Sequence, residues 1–210
     1  MLCSYAFYYT SICEKWKGAF AMKIVLLNER QAEAVYCGQM MRDFPESELK
    51  PFATILGMMR SGIYEPLAFY EQDGTLTAYA WQTVLPDRES VLIDYFAVAP
   101  ARRGNGAGTR ILAALAEYYA PRKRTLIIEC EHPAEAPDPA AARRRIGFYL
   151  RAGARATAME SRVFGVRYQI YALPAGGGAP DRQINDDLKE IYRRTVPQPY
   201  YRGNVIFFGE

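Results

Sequence analysis

Histidine is almost absent from this chain: His132 is the only one in 210 residues. A histidine-rich metal site is therefore excluded, and no metal is expected. A Ser-His-Asp centre would have to rest on that single residue, and no G-x-S-x-G accompanies it. The four cysteines (Cys3, Cys13, Cys37, Cys130) show no C-x-x-C spacing and scatter over unrelated segments. Reduced thiols and a cytoplasmic protein are the economical reading. No apolar run approaches the length of a bilayer span, so no membrane partner is expected. Charge of one sign is missing as well. The 26 basic and 23 acidic residues leave a net charge of +3, and the Lys and Arg are dispersed rather than gathered on a stripe, which argues against nucleic acid. The short basic runs Arg102-Arg103, Arg122-Lys123-Arg124 and Arg143-Arg144-Arg145 read as solvated turns or helix ends.

What the chain has is ordinary globular material. Half of its residues are hydrophobic and 13% aromatic, enough to fill one domain and hardly two. Residues 1–21 are apolar but lack a basic start and an export pattern. They read as an N-terminal extension, with Met22 as an alternative start and residues 22–210 as one domain.

The hydrophobic period gives the order of elements. Residues 23–27 read as a strand, and Asn28 with Gln31 forms a capping-box pattern for a helix to about Arg42. A second helix is expected after Ser47, with Leu49, Phe52, Ile55, Leu56 and Met59 at helical spacing up to Gly62. Asp73-Gly74 marks a hairpin between strands 66–72 and 76–85. Strand 91–98, a glycine-rich loop, helix 109–119, strand 125–131 and helix 140–152 follow, the last closing at Gly153. The remainder reads as a β-rich stretch 163–173, a flexible loop 175–179, a short helix 184–194 and a strand 204–208. The order β-α-α-β-β-β-loop-α-β-α-β implies an α/β fold with a mixed sheet, antiparallel at first and parallel later.

The chemically informative stretch is VAPARRGNGAGTRIL, residues 98–112. A strand ends, an Arg and three alternating glycines follow, and a helix opens with no acid in its first turn. Glycines let backbone N–H groups approach an anion, and the helix adds unpaired N–H groups and the positive end of its dipole. The spacing is G-x-G-x-G, so the dinucleotide fingerprint is not met, and Thr109-Arg110 does not supply a Walker Gly-Lys-Ser/Thr.

The pattern R-x-x-G-x-G (Arg103, Gly106, Gly108), with Val98 and Pro100 before it and Ile111-Leu112 after it, resembles the acyl-CoA signature of the GNAT superfamily of N-acetyltransferases. A second stretch, ARRRIGFYLRAGA (residues 142–154), resembles the later GNAT helix with its Tyr followed by R-x-G. An Asn that often lies about two turns before that Tyr is replaced here by small or basic residues. The resemblance spans residues 23–173 and implies the GNAT fold, a mixed sheet with flanking helices whose fourth and fifth strands splay apart. It implies acetyl-CoA as co-substrate, with Arg103, Gly104, Asn105, Gly106, Ala107, Gly108 and Thr109 around the pyrophosphate. It also implies pantetheine pairing along Phe96, Ala97 and Val98. Tyr149 matches the residue that protonates the departing thiolate.

For the general base, Asp94 is expected to share the face of Phe96, two residues on, while Glu129 and Glu131 share a face of the fifth strand. Asp94 and Glu129 are favoured, because acids inside apolar strands need a reason to be there. The expected reaction moves an acetyl group to a primary amine, on a small molecule or a peptide, by direct attack in a ternary complex. Asp43, Glu46 and Glu48 hint at a cationic acceptor, and a homodimer is allowed. A non-catalytic acyl-CoA-binding sensor or complex subunit is the alternative.

Overall fold

The structure, a computed structural model, describes residues 22–209. The reading of residues 1–21 as an extension lies outside them. Eight strands form one sheet in the order β1-β2-β3-β4-β5-β7-β6-β8. Strand β1 (Lys23–Leu26) leads into helix α1 (Glu29–Val35) through the reciprocal Asn28–Gln31 capping box. A π-helical turn (Tyr36–Met40) continues it into the short α2 (Met41–Asp43). Helix α3 (Phe52–Arg60) begins three residues later than its apolar spacing suggests. The reason is Pro51, which holds the preceding Lys50 out of the helical region; residues 46–48 form a 3-10 turn instead.

Strands β2 (Tyr64–Tyr70), β3 (Leu76–Val84) and β4 (Ser90–Val98) run antiparallel, with Asp73-Gly74 in the first hairpin. Helix α4 (Ala107–Tyr119) crosses to β5 (Thr125–Glu131), the strand parallel to β4. Helix α5 (Pro139–Arg151), capped by the Asp138 carboxylate, then leads to β6 (Arg155–Val163) and β7 (Val166–Pro174). The stretch read as one β-rich segment is thus the second arm of a hairpin turning at Phe164-Gly165. Its β7 arm inserts antiparallel between β5 and β6. The expected later parallel pairing is therefore confined to β4–β5. Helices α6 (Asp181–Thr195) and α7 (Gln198–Asn204) precede β8 (Val205–Phe208), which closes the sheet against β6.

The sheet has helices on both faces. Leu67, Phe69, Ala80, Ile93, Leu126 and Ile128 pack on one side with Ile111, Leu112 and Leu115 of α4 and Tyr149 of α5. On the other side, Tyr79, Trp81 and Tyr95 meet Ala32 and Val35 of α1 and Ile55 and Met58 of α3. Farther along that same side, Leu92, Ile127 and Ile170 meet Ile184, Leu188 and Ile191 of α6. No helix among the described residues is long and apolar enough to cross a membrane.

Two segments read as solvated or flexible are built into the packing. Lys123 is buried, its Nζ donating to the carbonyls of Leu85 and Arg88, while Arg122 forms a two-pronged pair with Glu65 at 2.6 and 2.7 Å. In the loop 175–179, backbone N–H groups of Ala175, Gly176 and Gly178 bond to Arg124, Lys123 and Arg124 in turn. A Cβ on Gly176 would lie 2.6 Å from the Ala120 carbonyl oxygen, so the glycine permits a close approach rather than mobility.

Candidate active site

The site is organised by where β4 and β5 stop pairing. Their described ladder holds Ser90, Val91 and Leu92 against Thr125, Leu126 and Ile127 and goes no further. Both strands continue, β4 to Val98 on the arm of β3 and β5 to Glu131 on the arm of β7. Between these arms the inner backbone edges of residues 93–98 and 128–131 face one another across a widening gap. Buried backbone groups need partners, so such a gap suits an extended ligand carrying amides of its own.

At the head of the gap lies the loop 103–108. Gly104 and Gly106 hold φ of +91° and +69°, a region that costs other residues free energy. Gly106 is the N-cap of α4; no described side chain caps that helix, and its first turn holds no acid. The first N–H groups of a helix have no partner within it, so this end of α4 offers donors to an anion, with the dipole's positive end behind them. Gly108 carries a different constraint. A Cβ there would lie 2.9 Å from two ring carbons of Phe148 and 3.6 Å from Val98 Cγ2. Phe148 in turn stacks on Phe96, with ring centres 6.2 Å apart and planes within 9°. Arg103 folds back on the strand end, its Nε donating to the Val98 carbonyl at 2.9 Å and its guanidinium 3.7 Å from Asp43.

Tyr149, next to Phe148 on α5, is buried in the same layer beside Cys130 of β5. Burial pushes its phenol above the ordinary tyrosine range, the Cys130 thiol adds to that, and Arg145 tempers it. The group therefore keeps its proton at neutral pH. Cys130 is fully buried, and desolvation pushes its thiol up to about 12.

The carboxylates sit on the opposite face. The register of β3 against β4 jumps from Trp81↔Tyr95 to Gln82↔Ile93, which leaves Asp94 as the extra residue of a β-bulge. Ile93 and Phe96 pack toward α4, whereas Tyr95 packs toward α1 and α3. Asp94 points the same way as Tyr95, so it does not share the face of Phe96; the bulge cancels the alternation on which that expectation rested. Its carboxylate accepts from Lys50 Nζ at 2.6 Å and from Thr83 Oγ1 at 2.7 Å. Lys50 is held by two tyrosines: its N–H donates to Tyr95 Oη at 2.7 Å, and Tyr36 Oη donates to its carbonyl at 3.0 Å.

Glu129 lies across the gap from Asp94, between Ile128 and Cys130, which face α4 and α5. Its own side chain turns to the α6 side. Ser161 Oγ of β6 donates to one oxygen at 3.0 Å, and Tyr192 Oη of α6 donates to the other at 2.5 Å. Burial raises its carboxyl; the two hydroxyls oppose this, the Asp94 carboxylate reinforces it and Lys50 opposes it, for a result of about 6. Glu131, on the same face of β5, is drawn to Arg145 at 3.6 Å. His132 is a turn residue, its Nδ1 accepting from the Ala134 N–H at 3.1 Å.

The expected residues thus fall into two groups on opposite faces of one opening. Gly104–Thr109, Phe96 and Tyr149 lie on the α4–α5 side, Asp94 and Glu129 on the α1–α3 and α6 side, and Arg103 at the strand end reaches over to Asp43 of α2. Lys50, Ser161 and Tyr192 were not anticipated. Tyr192 was legible only as a polar group flanking the apolar stripe Ile184, Leu188, Ile191.

A mixed sheet opened at one parallel pair, with a glycine-rich strand-to-helix loop at the head of the opening, defines the fold class of CoA-dependent acetyltransferases. The chain belongs to the acetyltransferase (GNAT) family, whose model matches residues 30–153, more than half of its length. Its fold is similar to that of a GNAT-family acetyltransferase from Bacteroides thetaiotaomicron, with TM-score 0.64 and 22% identity over 85% of this chain and 98% of that one. It is also similar to the ribosomal-protein-S18-alanine N-acetyltransferase of Escherichia coli, with TM-score 0.54 and 20% identity over 76% and 97%. A third similar structure is the spermidine N-acetyltransferase of Vibrio cholerae in complex with CoA and spermine, with TM-score 0.56 and 8% identity over 74% and 96%. Among curated protein sequences, none matches the chain.

Proposed function

We propose that this protein transfers an acetyl group from acetyl-CoA to a primary amine by direct attack within a ternary complex. The observation that carries the reading is the division of the gap. An anion-binding loop and a buried, protonated tyrosine stand on one face, and a carboxyl that titrates near 6 stands on the other. Donor and acceptor would then enter from opposite faces and meet between β4 and β5.

In this scheme the loop 103–109 holds the pyrophosphate, and the inner edge of Phe96, Ala97 and Val98 pairs with the pantetheine arm. Arg103 exchanges the Val98 carbonyl for the phosphates as the coenzyme enters. Glu129 takes a proton from the acceptor ammonium, and the free amine attacks the thioester carbonyl. A backbone N–H of β4 stabilises the oxyanion. The C–N bond forms, the nitrogen's remaining extra proton passes to water, the C–S bond breaks, the thiolate leaves with the proton of Tyr149, and the phenolate regains a proton from solvent as the products leave. Asp94 has both carboxylate oxygens engaged, by Lys50 and by Thr83, and borders the acceptor side without taking the proton. Cys130 supports direct attack, because a thiol held up to about 12 offers almost no thiolate near neutral pH.

The test is release of free thiol from acetyl-CoA across polyamines, aminoglycosides, amino acids and peptide N-termini. Tyr149→Phe should lower turnover by about 10²-fold or more while acetyl-CoA affinity is retained. Unchanged turnover would remove Tyr149 as the acid. Coenzyme binding without thiol release for any amine would replace the enzyme by an acyl-CoA-binding module.

A further inference from the structure

Helix α6 lies beyond the residues matched by the family model, yet it is tied to both strands that border the gap. Asp187, fully buried, accepts from the Ser90 N–H at the first residue of β4, at 2.9 Å, and from Gln183 Nε2 at 2.8 Å. A little over one turn later Tyr192 donates to Glu129 on β5. The apolar stripe Ile184, Leu188 and Ile191 seats the helix under the three paired residues of β4 and β5. One helix therefore grips β4 where the strands are joined and reaches β5 where they have parted.

We propose that Tyr192 and Ser161 are positioning residues for Glu129. Their hydroxyls occupy both carboxylate oxygens from the α6–β6 side and so leave the remaining lone pairs directed at the acceptor amine. The inference rests on the reading of Glu129 as the base. A carboxylate oxygen accepts more than one hydrogen bond, so two donors do not exhaust the group. They fix its rotamer and favour its charged form, which is the form a base needs. The Tyr192 ring is held independently by Phe207, with ring centres 6.1 Å apart, so the hydroxyl can be removed without removing the ring's packing. The charged and titratable groups facing Glu129 come from every neighbouring element: Asp94 of β4, Lys50 from the segment before α3, Tyr168 of β7, and Tyr192 itself. Asp94 acts against the charged form and Lys50 acts for it.

The experiment titrates Glu129 directly and also through the reaction. Carbon-13 NMR of glutamate-labelled protein, with Glu129→Gln to assign the resonance, should place the carboxyl near 6 and move it upward by about one pH unit in Tyr192→Phe. With the best amine of the panel at saturating acetyl-CoA, the ratio of wild-type to Tyr192→Phe turnover should be about fivefold larger at pH 6 than at pH 8.5, by the same one-unit shift. The acceptor's own titration cancels in that ratio. A resonance that does not move, or a loss equal at every pH, overturns the positioning role. A resonance that moves while Glu129→Gln keeps the acid limb of the wild-type profile instead overturns Glu129 as the base. Ser161→Ala acts on the other oxygen and should shift the resonance in the same direction; it serves if Tyr192→Phe does not fold.

Discussion

Gly108 and Gly57 are both helical glycines with ordinary negative φ, and the structure assigns opposite outcomes to the same substitution. In an open helix position Gly→Ala stabilises by about 1 kcal/mol. At Gly57 of α3 nothing lies within 4 Å of the added methyl. Gly57→Ala should therefore raise Tm by about 2–4 °C in a chain of this size. At Gly108 the methyl would meet Phe148 at 2.9 Å, roughly 0.6–1.1 Å inside ordinary carbon contact. Phe148 cannot yield freely, since it stacks on Phe96 of β4 and neighbours Tyr149 on α5. Overpacking of this kind costs about 1–3 kcal/mol, which offsets the helical gain and leaves Gly108→Ala neutral to about 2 kcal/mol less stable. The functional effect should be larger, because the displaced ring lies where α4, β4 and α5 meet behind the loop 103–108, the proposed phosphate site. KM for acetyl-CoA should rise about tenfold or more, and Phe148→Leu in the same chain should recover most of it. The assay is thermal denaturation of both alanine variants beside thiol-release kinetics. If Gly108→Ala matched Gly57→Ala in Tm and the wild type in KM, the packing argument would be refuted.

Two further outcomes follow from the same geometry. Gly106→Val forces a β-branched residue into a φ of +69° at the N-cap of α4, and calorimetric titration should show acetyl-CoA affinity lost by about tenfold or more; intact affinity would place the phosphate site elsewhere. Cys130, fully buried with its thiol pushed up to about 12, should resist alkylation at pH 8 in the native protein, while the exposed Cys37 reacts. Peptide mapping after labelling decides this, and rapid modification of Cys130 would contradict its burial.

The elements of the proposed donor half were legible because they are local in the chain. The loop, its glycines and the helix it opens fall within residues 98–119, and their spacing states their geometry. The strand at 125–131 coincides with β5 because a continuous apolar run bounded by turn residues leaves little room for error. The Asn28–Gln31 capping box and the helix stop at Gly153 were equally readable, being chemistry between near neighbours. The first arm of the later hairpin, β6, was not. Residues 155–163 carry Arg, Thr, Glu and Ser at many positions, and only Met159, Ser161 and Val163 are buried. Helix α7 escaped because two prolines, Pro197 and Pro199, frame its start, although proline is well tolerated in a first helical turn.

The contacts of the proposed acceptor half were illegible for a different reason. Each of its bonds joins distant segments: Lys50 to Asp94, Ser161 and Tyr192 to Glu129, Asp187 to Ser90. No periodicity announces such pairs. The β4 bulge is harder still, since an inserted residue leaves the apolar pattern VLIDYFAV looking like an uninterrupted strand. Yet the bulge sets the chemistry. Counted from Leu92, Asp94 keeps its alternation onto the face away from Tyr149, and the extra residue turns Phe96 and Val98 back toward α4. The proposed proton acceptor, Glu129 of β5, and the proposed donor, Tyr149 of α5, stand on opposite sides of the sheet. In that scheme the separation keeps the phenol's O–H available to the thiolate rather than engaged in a hydrogen bond to the carboxylate. In the proposed reaction, a sheet split along one parallel pair lets two such groups work on one carbonyl from two sides.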